Sequence, residues 1–322
     1  MNDAHGQSYW ILAPGRGELR PAPSQPGDGV ELKAAYSGIS AGTERLVGQG
    51  RVPPALHQIM RVPGMAGDFG FPLTYGYSWV GRDAEGRAFF TMHPHQKRIR
   101  VAETALIPLP AGLPLARATL FPNLETAFNG WLDAEVTVED SLAVVGGGLV
   151  GVLLGFVAHH FRGEPTWIVE TNAVRREQLA TLPWLRVAAP EEQLEKPFSL
   201  VFHTSAAAAG LQWSLEHLAF EGRVVELSWY GDTPVNLPLG GAFHYQRHRL
   251  IASQVGTVAR PLRGPDGHQR RTAAVLKLLA DDALDLIPRE VIPFADLPAA
   301  MMRLYRGDHF ALHALVDYGQ TA

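Results

Sequence analysis

Apolar positions in the first part of the chain come in short runs. "GVELKAAYSGIS" (Gly29–Ser40) alternates with the two-residue period of a strand, and "YGYSWVGRD" (Tyr75–Asp83) is rich in aromatic and β-branched residues. "GRAFFTMHPH" (Gly86–His95) ends a further run of this kind. No long amphipathic helix is predicted before residue 116, and Gly and Pro are frequent, so a β-barrel-like domain is expected. "LARATLFPNLETAFNGWLDA" (Leu115–Ala134) then reads as a helix bridging to the second part of the chain.

From Ser141 the rhythm changes. "LAVVG" (Leu142–Gly146), "TWIVET" (Thr166–Thr171), "FSLVFHTS" (Phe198–Ser205), "GRVVELSW" (Gly222–Trp229) and "RLIASQV" (Arg249–Val255) are apolar runs suited to central parallel strands. Helical patterns such as "VRREQLATL" (Val174–Leu182) and "AAAAGLQWSLEHLA" (Ala206–Ala219) lie between them, implying a sheet covered on both faces. Arg260–Gln269 reads as a loop and "TAAVLKLLADDALDL" (Thr272–Leu286) as an amphipathic helix. "VIPFADLPAAMMRLYRG" (Val291–Gly307) adds a strand, a turn and a helix.

The first of the parallel runs carries the chemistry. Gly146, Gly148 and Gly151 form G-x-G-x-x-G between a strand and an apolar helix that opens at Leu149 and Val150. The first glycine permits the turn, the second lets backbone approach a pyrophosphate, and the third lets helix pack on strand. The helix N-terminus points its amides at the phosphates. At the end of the next strand stands Glu170, where an acid is expected to hydrogen-bond the adenosine ribose. Its charge repels a 2′-phosphate and favours NAD(H) over NADP(H), although Arg175 or Arg176 could pair with such a phosphate. Thr204 and Ser205, closing the third run, and Thr126 are further expected cofactor contacts.

Composition narrows the field. The 322 residues allow two modest domains, and 46% hydrophobic with 19% charged residues is an ordinary globular balance. A net charge of −4 leaves no basic footprint for nucleic acid. No apolar run is long enough to span a membrane, and the N-terminus does not read as a signal peptide, so a cytoplasmic protein is expected. There is no cysteine, which excludes disulfides, a thiolate nucleophile and every cysteine-ligated zinc site.

A β-rich domain ahead of this glycine turn, with a closing tail after it, resembles the medium-chain dehydrogenase/reductase superfamily. The resemblance is carried by "YSGISAGTERLVGQGRVP" (Tyr36–Pro53), "YGYSWVGR" (Tyr75–Arg82), "ETAFNGW" (Glu125–Trp131), the glycine turn and "AFHYQRHRLIASQVGT" (Ala242–Thr257). It implies an α/β protein with an N-terminal GroES-like β-barrel domain and a Rossmann domain, a doubly wound parallel sheet. The expected division is a substrate domain over 1–133 and 261–322, and a dinucleotide domain over 134–260. It further implies a small-molecule substrate and a homodimer or homotetramer. Zinc-dependent members hold the metal at positions occupied here by Ser40, Tyr77 and Pro122 or Asn123, and the four-cysteine structural-zinc lobe is missing. No catalytic zinc is therefore expected.

The same resemblance nominates catalytic groups. Thr43 falls where a hydroxyl relays protons from the alcohol, and Tyr77, at the vacated ligand position, offers a phenol to a substrate oxygen. Glu44 matches an acidic position behind the metal, with a salt bridge inside the domain as the other reading. Glu125 is a general base if desolvated and a helix-end charge if not. His95, in "TMHPHQ" (Thr91–Gln96), is an acid/base candidate; with His93 it also makes an incomplete metal pair. The expected activity is zinc-independent hydride transfer to or from an alcohol or carbonyl. Reduction of an activated C=C bond, as in quinone and enoyl reductases, and non-catalytic dinucleotide binding are the alternatives.

Overall fold

A computed structural model describes residues 6–25, 28–194, 197–308 and 311–319. Two compact units emerge, Met1–Pro122 with Leu279–Ala322, and Asn123–Leu278. The second is longer at both ends than the expected 134–260.

The first unit opens with a hairpin, β1 (Gln7–Ala13) and β2 (Arg16–Pro21), whose turn holds Gly15 at φ 74°. The sequence pattern does not predict it. β3 (Val30–Gly38) is the spine of the main sheet, and α1 (Ala41–Gly48) follows it directly. β4 (Trp79–Arg82), β5 (Ala88–Thr91), β6 (Arg98–Val101) and β7 (Ile107–Pro108) come next, and α2 (Leu115–Ala118) closes this part of the chain. The helix expected over Leu115–Ala134 is in fact two, α2 and α3 (Phe121–Asp133). Pro122 is the second residue of α3, where its missing N–H breaks no helical bond.

The second unit is the doubly wound half. It runs β8 (Leu142–Val145), α4 (Leu149–Arg162), β9 (Thr166–Val169), α5 (Ala173–Leu179), β10 (Leu185–Ala188), β11 (Phe198–His203), α6 (Ala208–Glu216), β12 (Leu218–Glu226), α7 (Ala242–Tyr245), β13 (Arg249–Ala252) and α8 (Gly267–Leu279). The strands lie in the order β10-β9-β8-β11-β12-β13, all parallel. Numbered within the unit this is 3-2-1-4-5-6, the arrangement of a dinucleotide-binding sheet. Ala143, Val145, Val169, Phe198, Val201 and Val224 fill its core. α8 begins in the segment read as loop and stops at Leu279; a 3₁₀ turn at Asp282–Leu286, capped by Asp281, takes the rest of the expected helix.

The chain then completes the first unit with β14 (Arg289–Pro293), α9 (Leu297–Arg306) and β15 (His313–Asp317). The main sheet has the order β14-β15-β3-β4-β5-β7, with β6 also on β3. It is antiparallel except for the β14–β15 pair. Leu32, Ala34, Trp79 and Ile99 form a core under β3. Antiparallel barrel-like half and parallel nucleotide-type half are both as the sequence implied.

Candidate functional site

In the second unit the glycine turn is built as its sequence requires. Gly146 adopts φ 110°, a conformation a side chain resists, and a Cβ there would stand 2.8 Å from the Ser205 amide nitrogen. Gly148 caps α4 and has open space where a Cβ would be, so a ligand can approach the backbone there. A Cβ on Gly151 would stand 2.1 Å from the Gly146 carbonyl oxygen, so only glycine lets α4 close on β8. Leu149 and Val150 form the half-buried first turn of α4.

Glu170 is buried at the end of β9. Its Oε2 accepts the Gly147 amide at 2.8 Å, and its Oε1 accepts the Asn172 amide at 2.8 Å and the Thr171 hydroxyl at 3.2 Å. The carboxylate is fixed to the glycine turn. Arg175 stands 4.0 Å from it. The Thr204 hydroxyl donates to the Gly146 carbonyl at 2.9 Å, so it braces the turn. Ser205 is exposed beside it. Thr126 is half-buried on α3.

Glu125, also on α3, is an ion-pair partner. Its Oε1 lies 3.0 Å from Arg271 Nε, while Arg271 also donates to Asn129 Oδ1 and the Val255 carbonyl, each at 2.7 Å. Burial raises its pKa and Arg271 pulls it back. Glu125 ties α3 to α8 through this buried guanidinium, which argues against a general base with free access to substrate.

In the first unit three hydroxyls meet at the start of α1. The Tyr77 phenol donates to Ser40 Oγ in a short hydrogen bond and lies 3.4 Å from Thr43 Oγ1. Burial raises the Tyr77 pKa, only partly offset by those contacts, so the phenol keeps its proton at neutral pH. Ser78, next to Tyr77, donates to the Thr119 carbonyl at 2.7 Å. Two hydrogen-bonded hydroxyls are poor Zn²⁺ ligands compared with thiolate, imidazole or carboxylate, so the residues do not fit that metal. Among the described residues no group of three His, Asp or Glu side chains is placed to hold a metal ion.

Glu44 and His95 lie behind this cluster. Glu44 Oε1 accepts the Ser40 amide at 2.8 Å, and Oε2 stands 2.9 Å from His95 Nε2. His95 Nδ1 is 2.7 Å from Ser37 Oγ, which in turn is 2.9 Å from the Tyr318 hydroxyl. His95 is fully buried with both ring nitrogens engaged, which argues against the expected acid/base role. Its geometry is that of a bolt between β3, α1 and the chain after β15. His93 is separate, with Nε2 2.7 Å from Gln25 Nε2, and burial holds its pKa down to about 4. The two histidines do not make a metal pair.

Sequence reading missed one polar constellation, His203 with Glu226 and Tyr230. The signal was present, because "FSLVFHTS" and "GRVVELSW" each end an apolar strand in an ionisable residue. Only their pairing as parallel neighbours puts the two side by side.

No family model matches the chain. It is 25% identical over 252 residues to the 2-desacetyl-2-hydroxyethyl bacteriochlorophyllide A dehydrogenase of Cereibacter sphaeroides, covering 71% of this chain and 74% of that one. Among solved structures it is similar to the 2R,3R-butanediol dehydrogenase of Bacillus subtilis, with a TM-score of 0.75, 14% identity, and 97% and 99% of the two chains covered. It is also similar to a Sinorhizobium meliloti protein described as a zinc-binding dehydrogenase and bound to NADP. There the TM-score is 0.73 and the identity 15%, with 97% and 98% covered. At these identities the structures establish a shared fold, and the sequence relative is a dehydrogenase by name.

Proposed function

We infer that this chain, with the two-domain fold of the medium-chain dehydrogenases and a dehydrogenase among its sequence relatives, is an NAD(P)(H)-dependent oxidoreductase. Its reaction on this reading is hydride transfer between the dinucleotide and an alcohol or carbonyl, without zinc. The observation that carries it is the hydroxyl cluster of Tyr77, Ser40 and Thr43, in which Ser40 and Tyr77 stand at two of the positions where the zinc-dependent pattern has metal ligands and Thr43 at that of its proton relay.

A bound dinucleotide would supply or take the hydride; the Gly146–Gly151 turn would hold its pyrophosphate and Glu170 its adenosine ribose. NAD(H) is favoured because Glu170, buried and anchored, cannot swing away from a 2′-phosphate. A neutral phenol at Tyr77 donates to the substrate oxygen and stabilises the charge that develops there, and Thr43 accepts or relays the hydroxyl proton. Ser40, which accepts the Tyr77 hydrogen bond, is the group the substrate oxygen displaces. Glu44 and His95 hold the Ser40 backbone and keep the cluster in register. The cytoplasm as workplace and a homodimer or homotetramer as assembly complete the reading; among the described residues no helix is long and apolar enough to cross a membrane.

Titration with NADH and NADPH, followed by fluorescence, tests the cofactor. A panel of alcohols, carbonyls and enones under the preferred dinucleotide tests the reaction, and elemental analysis of purified active protein tests the metal. NADH binding with carbonyl turnover in metal-free protein is expected. Failure of both dinucleotides to bind, or stoichiometric tightly held zinc, overturns the reading; turnover of enones alone moves it to C=C reduction.

A further inference from the structure

β11 and β12 are parallel neighbours, and their register places His203 opposite Glu226. The Glu226 oxygens lie 2.7 and 2.9 Å from His203 Nδ1. A carboxylate there fixes the tautomer: Nδ1 carries the proton and Nε2 keeps a lone pair. The Ser205 hydroxyl, two residues on, lies 2.6 Å from Nε2 and donates to it. The carboxylate is itself held by the Tyr230 hydroxyl at 2.9 Å and the Ser228 amide at 2.7 Å. His203 is fully buried, whereas Ser205 is exposed.

The setting is a turn from strand to helix at the carboxyl end of the parallel sheet, where open α/β sheets receive ligands. The chain leaves β11 at His203, passes Ser205 and Ala206, the latter at φ 51°, and enters α6 at Ala208. Gly210 leaves the room this needs. A Cβ there would stand 2.4 Å from Ser205 Oγ and 2.9 Å from His203 Nε2.

We propose that Ser205 is an activated nucleophile, with His203 as its general base and Glu226 orienting that base, and that it takes acyl groups from small activated esters. Ser205 Oγ bonds to the ester carbonyl carbon while its proton passes to His203 Nε2. The adduct collapses by breaking the carbon–oxygen bond to the leaving alcohol, which carries that proton away. Water then attacks the acyl-serine, gives a proton to Nε2, and restores the hydroxyl as the acid departs. Nothing is oxidised or reduced, so this activity goes beyond the oxidoreductase reading and needs no dinucleotide.

The full chain is treated with an alkyl fluorophosphonate, which phosphonylates activated serines with loss of fluoride, and the adduct is mapped by peptide mass spectrometry. Hydrolysis of p-nitrophenyl acetate is followed in parallel. The expected result is an adduct on Ser205 that is absent in Ser205→Ala and forms at least about tenfold more slowly in Glu226→Gln and His203→Gln. Ester hydrolysis should fall in the same order. Ser205→Ala takes a partner from buried His203 Nε2, so its melting is measured alongside, and loss of labelling is read on protein folded at the assay temperature. Wild-type protein without a Ser205 adduct, or an adduct rate unchanged in both Glu226→Gln and His203→Gln, overturns the proposal. NADH titration of the wild-type protein reports separately on the oxidoreductase reading.

Discussion

The Gly147 amide donates to Glu170 Oε2 at 2.8 Å, so the acid proposed for the ribose is fastened to the turn proposed for the phosphates. Binding and turn geometry are therefore linked. Glu170→Gln keeps the shape and removes the charge. It should weaken NADH by about tenfold or more, the ~1.5–3 kcal/mol of a hydrogen bond to a charged group, and narrow the preference over NADPH. Fluorescence titration checks it. An unchanged NADH affinity would detach Glu170 from the cofactor.

Tyr77 and Thr43 carry the proposed polarisation of substrate. Tyr77→Phe deletes the donor without opening a cavity and should lower kcat/KM by about a hundredfold, the usual cost of losing one such donor. Thr43→Val should cost about tenfold or more if the hydroxyl relays a proton. Steady-state kinetics on the best substrate decides, and two variants with wild-type turnover would remove both residues from the chemistry.

Glu44 and His95 are each almost completely buried, in contact at 2.9 Å. Glu44→Ala strands the His95 imidazole and the Ser40 amide together. The expected loss is on the order of 3 kcal/mol of unfolding free energy, from leaving buried polar groups without partners. Urea denaturation measures it. A loss below about 0.5 kcal/mol, the scale of an ordinary surface substitution, would deny the pair its bolting role.

Two buried histidines make stability fall in mild acid. Burial lowers His93 from 6.5 to about 4 and His313 to about 3. Below about pH 6.5 the unfolded chain takes up protons that the folded one refuses, so folding stability is full above that value and declines towards the folded pKa values. The slope is at most about 1.4 kcal/mol per pH unit for each histidine. Urea midpoints between about pH 7.5 and 5 should drop, and less steeply in His93→Gln. A flat profile in the wild-type protein would show that neither ring is held neutral.

The nucleotide-type half was legible because its signals are local. Five apolar runs, the helices between them and the glycines at 146, 148 and 151 each report on neighbours within a few residues, and strand order follows from winding rules. The first unit was less so. Its last strand, β15, lies between β14 and β3, a pairing of residues 315–317 with 36–38 that no local pattern encodes. The expected helix over Leu115–Ala134 divides between Ala118 and Phe121, with Pro122 inside the first turn of α3.

By itself the sequence determined the class of the molecule: no thiolate, Ser40 and Tyr77 at two positions where the resemblance puts metal ligands, a glycine turn and an acid one strand later. Residue identity and short spacing suffice for that, since backbone conformation and ligand chemistry at a turn are set by the atoms present. Tertiary structure alone decided what each ionisable group faces. His95 was drawn inward by Ser37 and Glu44, Glu125 was claimed by Arg271, and His203 was brought to Glu226. Proton affinity and reactivity depend on desolvation and on partners a few ångströms away, and those partners come from distant parts of the chain.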